Sequence, residues 1–340
     1  MPTKNTIDAA TTSAPRLLNE RLEELGMDYV IVYGNMSLSS SMEPEAEFRS
    51  KVARAINWLQ ADFYKEFSYR MTPVAAIPMH TPEEAVEELE FAVKRLGYKA
   101  VMIPPGVSRP IPAVQRESPN AWPDACWVDR FGLDSEHDYD QVWAKCVELG
   151  VAVTAHGGLF ANFPIFGRSV SNFVYNHLGN HAYLQSFLCK DLLMGGVTNR
   201  FPTLNIAFLE CGVGWACTMY SEVLGAWDRR NVQALEATKP ANLDRKQYLD
   251  LLARYGGKAM DGRMDAIERS FRLSDAAVDP SMLDEFAALG IGKREDFRER
   301  FASTRTARSC RRRSARTSGT TTCRTWRKWS KRRTSWLRRN

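Results

Sequence analysis

The sequence alternates short apolar runs with amphipathic stretches, and this alternation restricts the fold more than any other feature. Runs of strand length rich in Val, Ile and Ala occur at 28–33, 72–77, 99–103, 151–155 and 204–209. Segments with helical spacing of apolar residues separate them, without the turn signals of β-hairpins. Strand and helix in alternation are typical of parallel βαβ units. The sequence therefore predicts an α/β protein built on a parallel sheet.

The clearest predicted helix begins after Thr81, a suitable capping residue, with Pro82 at its first position and Gly97 at its end. Further helices are predicted over 16–26, 45–67, 137–150, 217–230 and 244–255. We expect residues 1–15 to form an extended arm and residues 16–302 to form one folded domain. A loop rich in proline and tryptophan is expected between the third strand and the helix at 137.

Composition excludes several classes of protein. No apolar run approaches the roughly 18 residues of a membrane span, and the N-terminus lacks the layout of a signal peptide. The seven cysteines are scattered, with no Cys-x-x-Cys pair, so neither a disulfide framework nor a structural zinc site is indicated. We expect a cytoplasmic protein with free thiols and no membrane partner.

The net charge of +6 divides unevenly along the chain. Residues 303–340 contain 12 Arg and 2 Lys with no Asp or Glu, a charge of +14, so residues 1–302 carry 6 − 14 = −8. An acidic body with a basic tail has two explanations. The Arg and Trp of the tail are a signature of nucleic-acid binding, or the tail is the product of a shifted reading frame.

Polar residues follow two of the predicted strands. The run at 151–155 ends on His156 and two glycines, and the run at 204–209 ends on Glu210. The carboxyl ends of parallel strands form the active-site rim in such folds, so both residues are candidate site residues. The competing interpretations are a hydrogen-bonded structural histidine and a carboxylate held in a structural salt bridge.

A helix is predicted between these two strands, over about 175–188, and it carries two more of the five histidines. His177 and His181 are four residues apart, which places them on one helical face. Each is a candidate for ligand or substrate contact, and each can equally be structural.

Several segments together resemble the amidohydrolase-related branch of the amidohydrolase superfamily, which includes aminocarboxymuconate-semialdehyde decarboxylase. They are Arg-Leu-Glu-Glu-Leu-Gly-Met-Asp-Tyr-Val, Leu-Gly-Tyr-Lys-Ala-Val-Met-Ile-Pro-Pro, Ala-His-Gly-Gly and Arg-Phe-Pro-Thr-Leu-Asn-Ile-Ala-Phe-Leu-Glu. The resemblance covers roughly residues 14–302. It implies a (β/α)8 barrel of the TIM type with a divalent metal, zinc foremost, at the carboxyl ends of the strands.

The resemblance also implies roles for individual residues. His156 matches the metal-ligand histidine that ends strand five. Glu210 stands where the family's decarboxylases carry a catalytic histidine, and a carboxylate there can act as a general acid or base or as a metal ligand. We expect Glu210 and His181 to serve in catalysis. Substrate contact is expected from His177, Trp215 and Pro104. The implied reaction is hydrolysis or non-oxidative decarboxylation of a small carbonyl or carboxylate substrate, and a homodimer is implied by the family alone.

Two departures from the family indicate an incomplete barrel. The His-x-His pair of the first strand is absent, and no strand-eight Asp follows Phe301. In an alternative reading frame the codons for residues 314–337 permit Gly-Ser-Asp-Ile-Gly-His followed by a well-patterned helix, which favours the shifted frame over a nucleic-acid arm. The chain is therefore expected to be an enzyme of impaired activity, an inactive fragment being the alternative.

Overall fold

The computed structural model describes residues 5–41, 43–121, 125–156, 169, 171–237, 242–274 and 284–303. All but the first residue of the basic tail over 303–340 lies outside the described residues. Both interpretations of the tail therefore stay predictions.

The strands in the described part of the chain form three small sheets. Their bounds are β1 (Val30–Val32), β2 (Met71–Pro73), β3 (Ala75–Ala76), β4 (Ala100–Ile103), β5 (Val107–Pro110), β6 (Cys126–Asp129), β7 (Ala152–Ala155) and β8 (Ile206–Phe208). β1 pairs with β2, and a four-stranded sheet has the order β3-β4-β7-β8, with every neighbour parallel. The backbone N–H of Val74 donates to the carbonyl of Val32 at 3.1 Å. The pairing with β1 therefore continues past the end of β2, to the residue just before β3.

The five predicted strands are thus confirmed, and they follow one another in space in the order of the sequence. Among the described residues the sheet is open and no closed barrel forms. One prediction was wrong: β5 and β6 form an antiparallel pair within the segment expected to be a loop, with Val107 opposite Asp129. A buried ion pair between Arg109 and Asp129 joins the two strands, at 2.9 Å.

Helices separate the parallel strands. Their bounds are α1 (Thr6–Ser13), α2 (Pro15–Arg21), α3 (Asn35–Ser40), α4 (Ala46–Tyr64), α5 (Pro82–Glu90), α6 (Pro112–Glu117), α7 (Asp140–Leu149), α8 (Phe173–His177), α9 (Asn180–Met194), α10 (Val197–Arg200), α11 (Gly214–Arg230), α12 (Val232–Ala237), α13 (Arg245–Tyr255), α14 (Met264–Ser274), α15 (Glu285–Ala288) and α16 (Arg294–Ser303). The Thr81 cap is confirmed, since its hydroxyl accepts from the N–H of Glu84. Gly150 ends α7 in the left-handed conformation.

The main core lies between the parallel sheet and the helices α5, α7 and α9. Val101, Ile103 and Val153 of the sheet are fully or almost fully buried there, together with Trp143 of α7 and Leu188 of α9. Apolar area removed from water at these positions provides the main stabilisation of the sheet. The sheet edge that carries the candidate site is therefore held on a rigid support.

The N-terminal segment differs from the extended arm that the sequence predicted. Residues Thr6–Ser13 form α1, because Asn5 caps the helix by accepting from the N–H of Asp8. Arg21 of α2 donates to Asp8 at 2.9 Å and to the hydroxyl of Thr11 at 2.7 Å, so a long-range contact also fixes this helix.

The chain divides into two compact units, one comprising residues 1–219 and 299–340 and the other residues 220–298. In the described part of the second unit, Phe286 and Phe297 are buried, with ring centroids 5.6 Å apart. The carboxylate of Asp284 accepts from the N–H of Val232 at 2.7 Å. Within the described residues, none of the helices combines the length and the apolar character that crossing a membrane requires.

Candidate functional site

The carboxyl ends of three adjacent strands lie side by side. The N–H of His156 donates to the carbonyl of Ile103 at 3.1 Å, and the N–H of Leu209 donates to the carbonyl of Ala155 at 3.1 Å. The register therefore sets Pro104, His156 and Leu209 level at one edge of the sheet. Glu210 stands one residue beyond Leu209, at the same edge.

Glu210 adopts a backbone conformation that side chains seldom take, with φ at 55°. Non-glycine residues in the left-handed region carry strain, and such strain is concentrated at functional sites. Half of the Glu210 side chain is exposed to solvent. The exposed position leaves one side of the carboxylate accessible to a small molecule.

Two histidines converge on the Glu210 carboxylate. Nε2 of His156 lies 3.6 Å from Oε1, and Nε2 of His181 lies 3.8 Å from Oε2. Both imidazoles are buried, and their ring centroids are 5.9 Å apart at an interplanar angle of 85°. Each carboxylate oxygen therefore faces a different histidine.

Burial lowers the pKa of His156, and the neighbouring Glu210 carboxylate opposes this shift. Burial also lowers the pKa of His181, again against the effect of Glu210, while His156 and His177 lower it further. At neutral pH both imidazoles are therefore uncharged, each with one ring nitrogen that can accept a proton or bind a metal.

His177 and His181 do not lie on one helical face, contrary to the sequence prediction. Gly179 takes the left-handed conformation, with φ at 74°, so the predicted helix is split into α8 and α9. His177 ends α8 and His181 is the second residue of α9. Their ring centroids are nevertheless 5.3 Å apart, and Phe173 stacks on His177 at 5.6 Å.

Two of the residues expected to contact a substrate, Pro104 and Trp215, lie near the same sheet edge. Pro104 is buried directly after β4. Trp215, at the start of α11, packs edge to face on Phe208 of β8 with ring centroids 5.5 Å apart. Contact of either residue with a substrate stays a prediction.

Sequence reasoning missed Tyr33, which follows β1 at its carboxyl end. Its ring centroid lies 5.8 Å from that of His156. Burial raises the pKa of the phenol, so Tyr33 is a proton donor at neutral pH. The strand-end rule that singled out His156 would also have identified this residue.

The family resemblance implies a divalent metal, and the side chains at this sheet edge can be compared with the ligands that such a metal needs. No group of three His, Cys, Asp or Glu in the described part of the chain forms a ready-made metal cluster. The chemistry of His156 nevertheless fits, because a neutral imidazole is a common ligand of catalytic zinc. Glu210 lies 3.6 Å from its Nε2 atom, and His181 lies 3.8 Å from the other oxygen of Glu210, so two further polar groups stand beside this ligand.

Comparisons with known proteins show which family and which folds this chain is similar to. A sequence model of the amidohydrolase family matches residues 35–257, more than half of the chain. An amidohydrolase from Mycobacterium avium subsp. paratuberculosis K-10 has a similar fold, with 18% identity and a TM-score of 0.50 over 67% of this chain and 56% of that one. A dihydroxybenzoic acid decarboxylase from Polaromonas sp. JS666, solved with manganese, gives 18% identity and a TM-score of 0.46 over 68% and 63%.

The chain spans about three fifths of the length of these two solved structures. No curated protein gives a significant match to it.

Proposed function

Since the chain belongs to the amidohydrolase family, we propose that it is a metal-dependent enzyme acting on a small carbonyl or carboxylate substrate. The reaction is hydrolysis or non-oxidative decarboxylation, and the metal is zinc. One observation carries the proposal: the Nε2 atoms of His156 and His181 face the two oxygens of Glu210 at the carboxyl edge of the parallel sheet.

His156 is the residue that binds the metal in this proposal. It is rigidly held, because its N–H is bonded to the neighbouring strand and its ring is buried beside Tyr33. Its lowered pKa keeps the imidazole neutral, which is the form that binds a metal. A bound divalent ion would polarise a substrate carbonyl or lower the pKa of a bound water molecule.

Glu210 and His181 carry the proton transfer. The half-exposed carboxylate of Glu210 can reach a substrate while it remains oriented by the two imidazoles. His181 is neutral at pH 7 and can take the proton that Glu210 releases. His177 and Trp215, at the rim of this group, contact the substrate.

The test is a metal-dependent assay on the full chain. The protein is loaded with zinc or manganese and incubated with small carboxylic acids that bear a neighbouring hydroxyl or carbonyl group, and with simple esters, lactones and amides. Release of CO₂ indicates decarboxylation, and release of acid indicates hydrolysis. We expect one class to be turned over and a chelator to abolish the activity.

Two variants make the assay specific. Glu210→Gln removes the proton-transfer group and should lower kcat by roughly 10²- to 10⁴-fold. Glu148→Gln is the matched control, since Glu148 is an exposed carboxylate of α7 paired with Lys145, and it should keep wild-type activity. Turnover that is insensitive to chelator, or a fully active Glu210→Gln protein, would contradict the proposal. Absence of turnover with every metal would favour the inactive-fragment alternative.

A further inference from the structure

Helix α9 packs one face against the parallel sheet, and most side chains on this face are apolar, such as Leu188 in the main core. Gln185 and Asp191 are polar and are buried on this helix as well. The fold provides partners for Asp191, whose carboxylate accepts from the backbone N–H groups of Gly132 and Leu133 at 2.7 and 3.2 Å. Hydrogen bonds thus compensate the burial of Asp191.

Gln185 has no such compensation. The residue is fully buried, and neither the oxygen nor the nitrogen of its amide has a hydrogen-bond partner within the described part of the chain. A buried amide in this state loses its hydrogen bonds to water and gains none in return. Leucine or methionine would fill a similar volume without that cost. Packing alone therefore does not account for a glutamine at this position.

Helix geometry directs the Gln185 side chain toward His181. The two residues are four positions apart in α9, which places them on one face with Cβ atoms about 6 Å from each other. Side chains of an α-helix lean toward its N-terminus, so a long side chain covers the preceding turn. For Gln185 the preceding turn is the one that carries His181, and both residues are buried.

The two ring nitrogens of His181 have different tasks. Nε2 lies 3.8 Å from Oε2 of Glu210. To take a proton from Glu210, Nε2 must hold a lone pair, and the proton of the neutral ring must then be on Nδ1. The hydrogen bond that one ring nitrogen makes selects the tautomer of a histidine. A hydrogen-bond acceptor for Nδ1 is therefore what the proton transfer requires.

We propose that Gln185 is a positioning residue for His181: its Oε1 atom accepts a hydrogen bond from Nδ1–H of His181 and leaves Nε2 free to take the proton of Glu210. The bond forms when the side-chain torsions of Gln185 rotate the amide toward the ring, and it satisfies the buried oxygen. In the transfer the O–H bond of the Glu210 carboxyl breaks and an N–H bond forms at Nε2. The inference rests on the proposed function, which makes His181 the proton acceptor.

The tautomer of His181 tests this role without any need for turnover. In the metal-free full chain at neutral pH, long-range proton–nitrogen correlation spectra of isotope-labelled histidines show which ring nitrogen is protonated. The signals lost in His181→Asn identify His181. We expect Nδ1 to be protonated in the wild type. Gln185→Met keeps the length of the side chain but has no amide, and the ratio of Nδ1–H to Nε2–H should fall by roughly three- to tenfold.

Two further variants complete the comparison. Gln185→Glu retains an acceptor oxygen and should keep Nδ1 of His181 protonated. Gln141→Met, a matched control at an exposed glutamine of α7, should leave the ratio at its wild-type value. In an active protein Gln185→Met should also lower kcat by roughly tenfold or more with KM unchanged, because the buried residue acts through His181 and not on the substrate.

The proposal would be overturned by a wild type in which Nε2 of His181 is protonated. It would also be overturned by a ratio that is the same in Gln185→Met as in the wild type, or by an equal fall in Gln141→Met. Absence of turnover in every variant contradicts the proposed function instead, and the tautomer ratios still decide whether Gln185 positions His181.

Discussion

His80 should make the protein less stable as the pH falls. It follows Met79 beyond the end of β3, and its Nδ1 is buried without a hydrogen-bond partner among the described residues. Burial lowers its pKa from 6.5 to about 3, and the positive charges of Arg49 and Arg109 lower it further. Protonation of the folded protein at this residue is therefore strongly disfavoured.

The sign and size of the effect follow from linkage. Between pH 6.5 and pH 3 the unfolded chain binds a proton at His80 that the folded chain does not, so the free energy of unfolding falls as the pH falls through this window. Between pH 7.5 and pH 5 the loss is at most about 2 kcal/mol, since each unit below 6.5 contributes about 1.4 kcal/mol. The partly exposed ring makes this an upper bound.

Urea denaturation of the wild type and of His80→Gln at pH 7.5 and pH 5 measures the loss. Asp191 acts in the opposite direction: burial raises its pKa to about 6, so this residue favours the folded state as the pH falls through that value. Asp191 is present in both proteins, and the difference between them therefore isolates His80. We expect His80→Gln to lose about 1 to 2 kcal/mol less than the wild type over this range. An identical pH dependence in the two proteins would refute the reasoning.

Further substitutions test the support of the site. Asp129→Ala leaves Arg109 without its buried partner. It should lower the free energy of unfolding by about 3 to 5 kcal/mol in chemical denaturation. A loss under about 1 kcal/mol would show that this ion pair does not stabilise the folded state. Gly195→Ala should be severe, since an added Cβ would lie 1.8 Å from the carbonyl oxygen of Gly132. Its matched control Gly150→Ala meets no atom within 4 Å, although φ is 64°, and should cost only about 1 kcal/mol. Equal melting temperatures for the two alanine variants would contradict this account of Gly195.

The parallel sheet was predictable because each of its strands and connecting helices has a recognisable pattern within its own short stretch of sequence. Each strand is a short apolar run and each connecting helix has its own periodicity, so the alternation of the two predicted parallel βαβ units. Thr81 and Gly150 marked helix ends through the conformations that these residue types favour. The sheet edge that carries His156 and Glu210 followed directly from this topology.

The antiparallel pair of β5 and β6 was not predictable in the same way. Val107 and Asp129 are joined by a long segment that contains α6, so no short turn signals the pairing. The contact that holds it, between Arg109 and Asp129, connects residues twenty positions apart. The pairing of β5 with β6 therefore depends on a contact between residues distant in sequence, and the local sequence of either strand does not indicate it.

In the candidate site, too, some features could be predicted from local sequence and others depend on tertiary packing. His156 and Glu210 were identified from strand ends, but the approach of His181 depends on how α9 packs beside the sheet. Gly179 was treated as part of a helix, although a glycine inside a helical pattern is also a signal of a break. The break changes the relation of His177 to His181 while their rings remain 5.3 Å apart.

The most direct test of the central claim is the binding of a divalent metal to His156 and its neighbours. Isothermal titration of the metal-free full chain with Zn²⁺ gives stoichiometry and affinity, and the absorption spectrum with Co²⁺ reports the ligand type. The account predicts one ion per chain, a spectrum of nitrogen and oxygen ligands, and at least roughly tenfold weaker binding by His156→Asn than by a His137→Asn control. The account would be contradicted by absence of a stoichiometric site, or by equal affinity of the two variants.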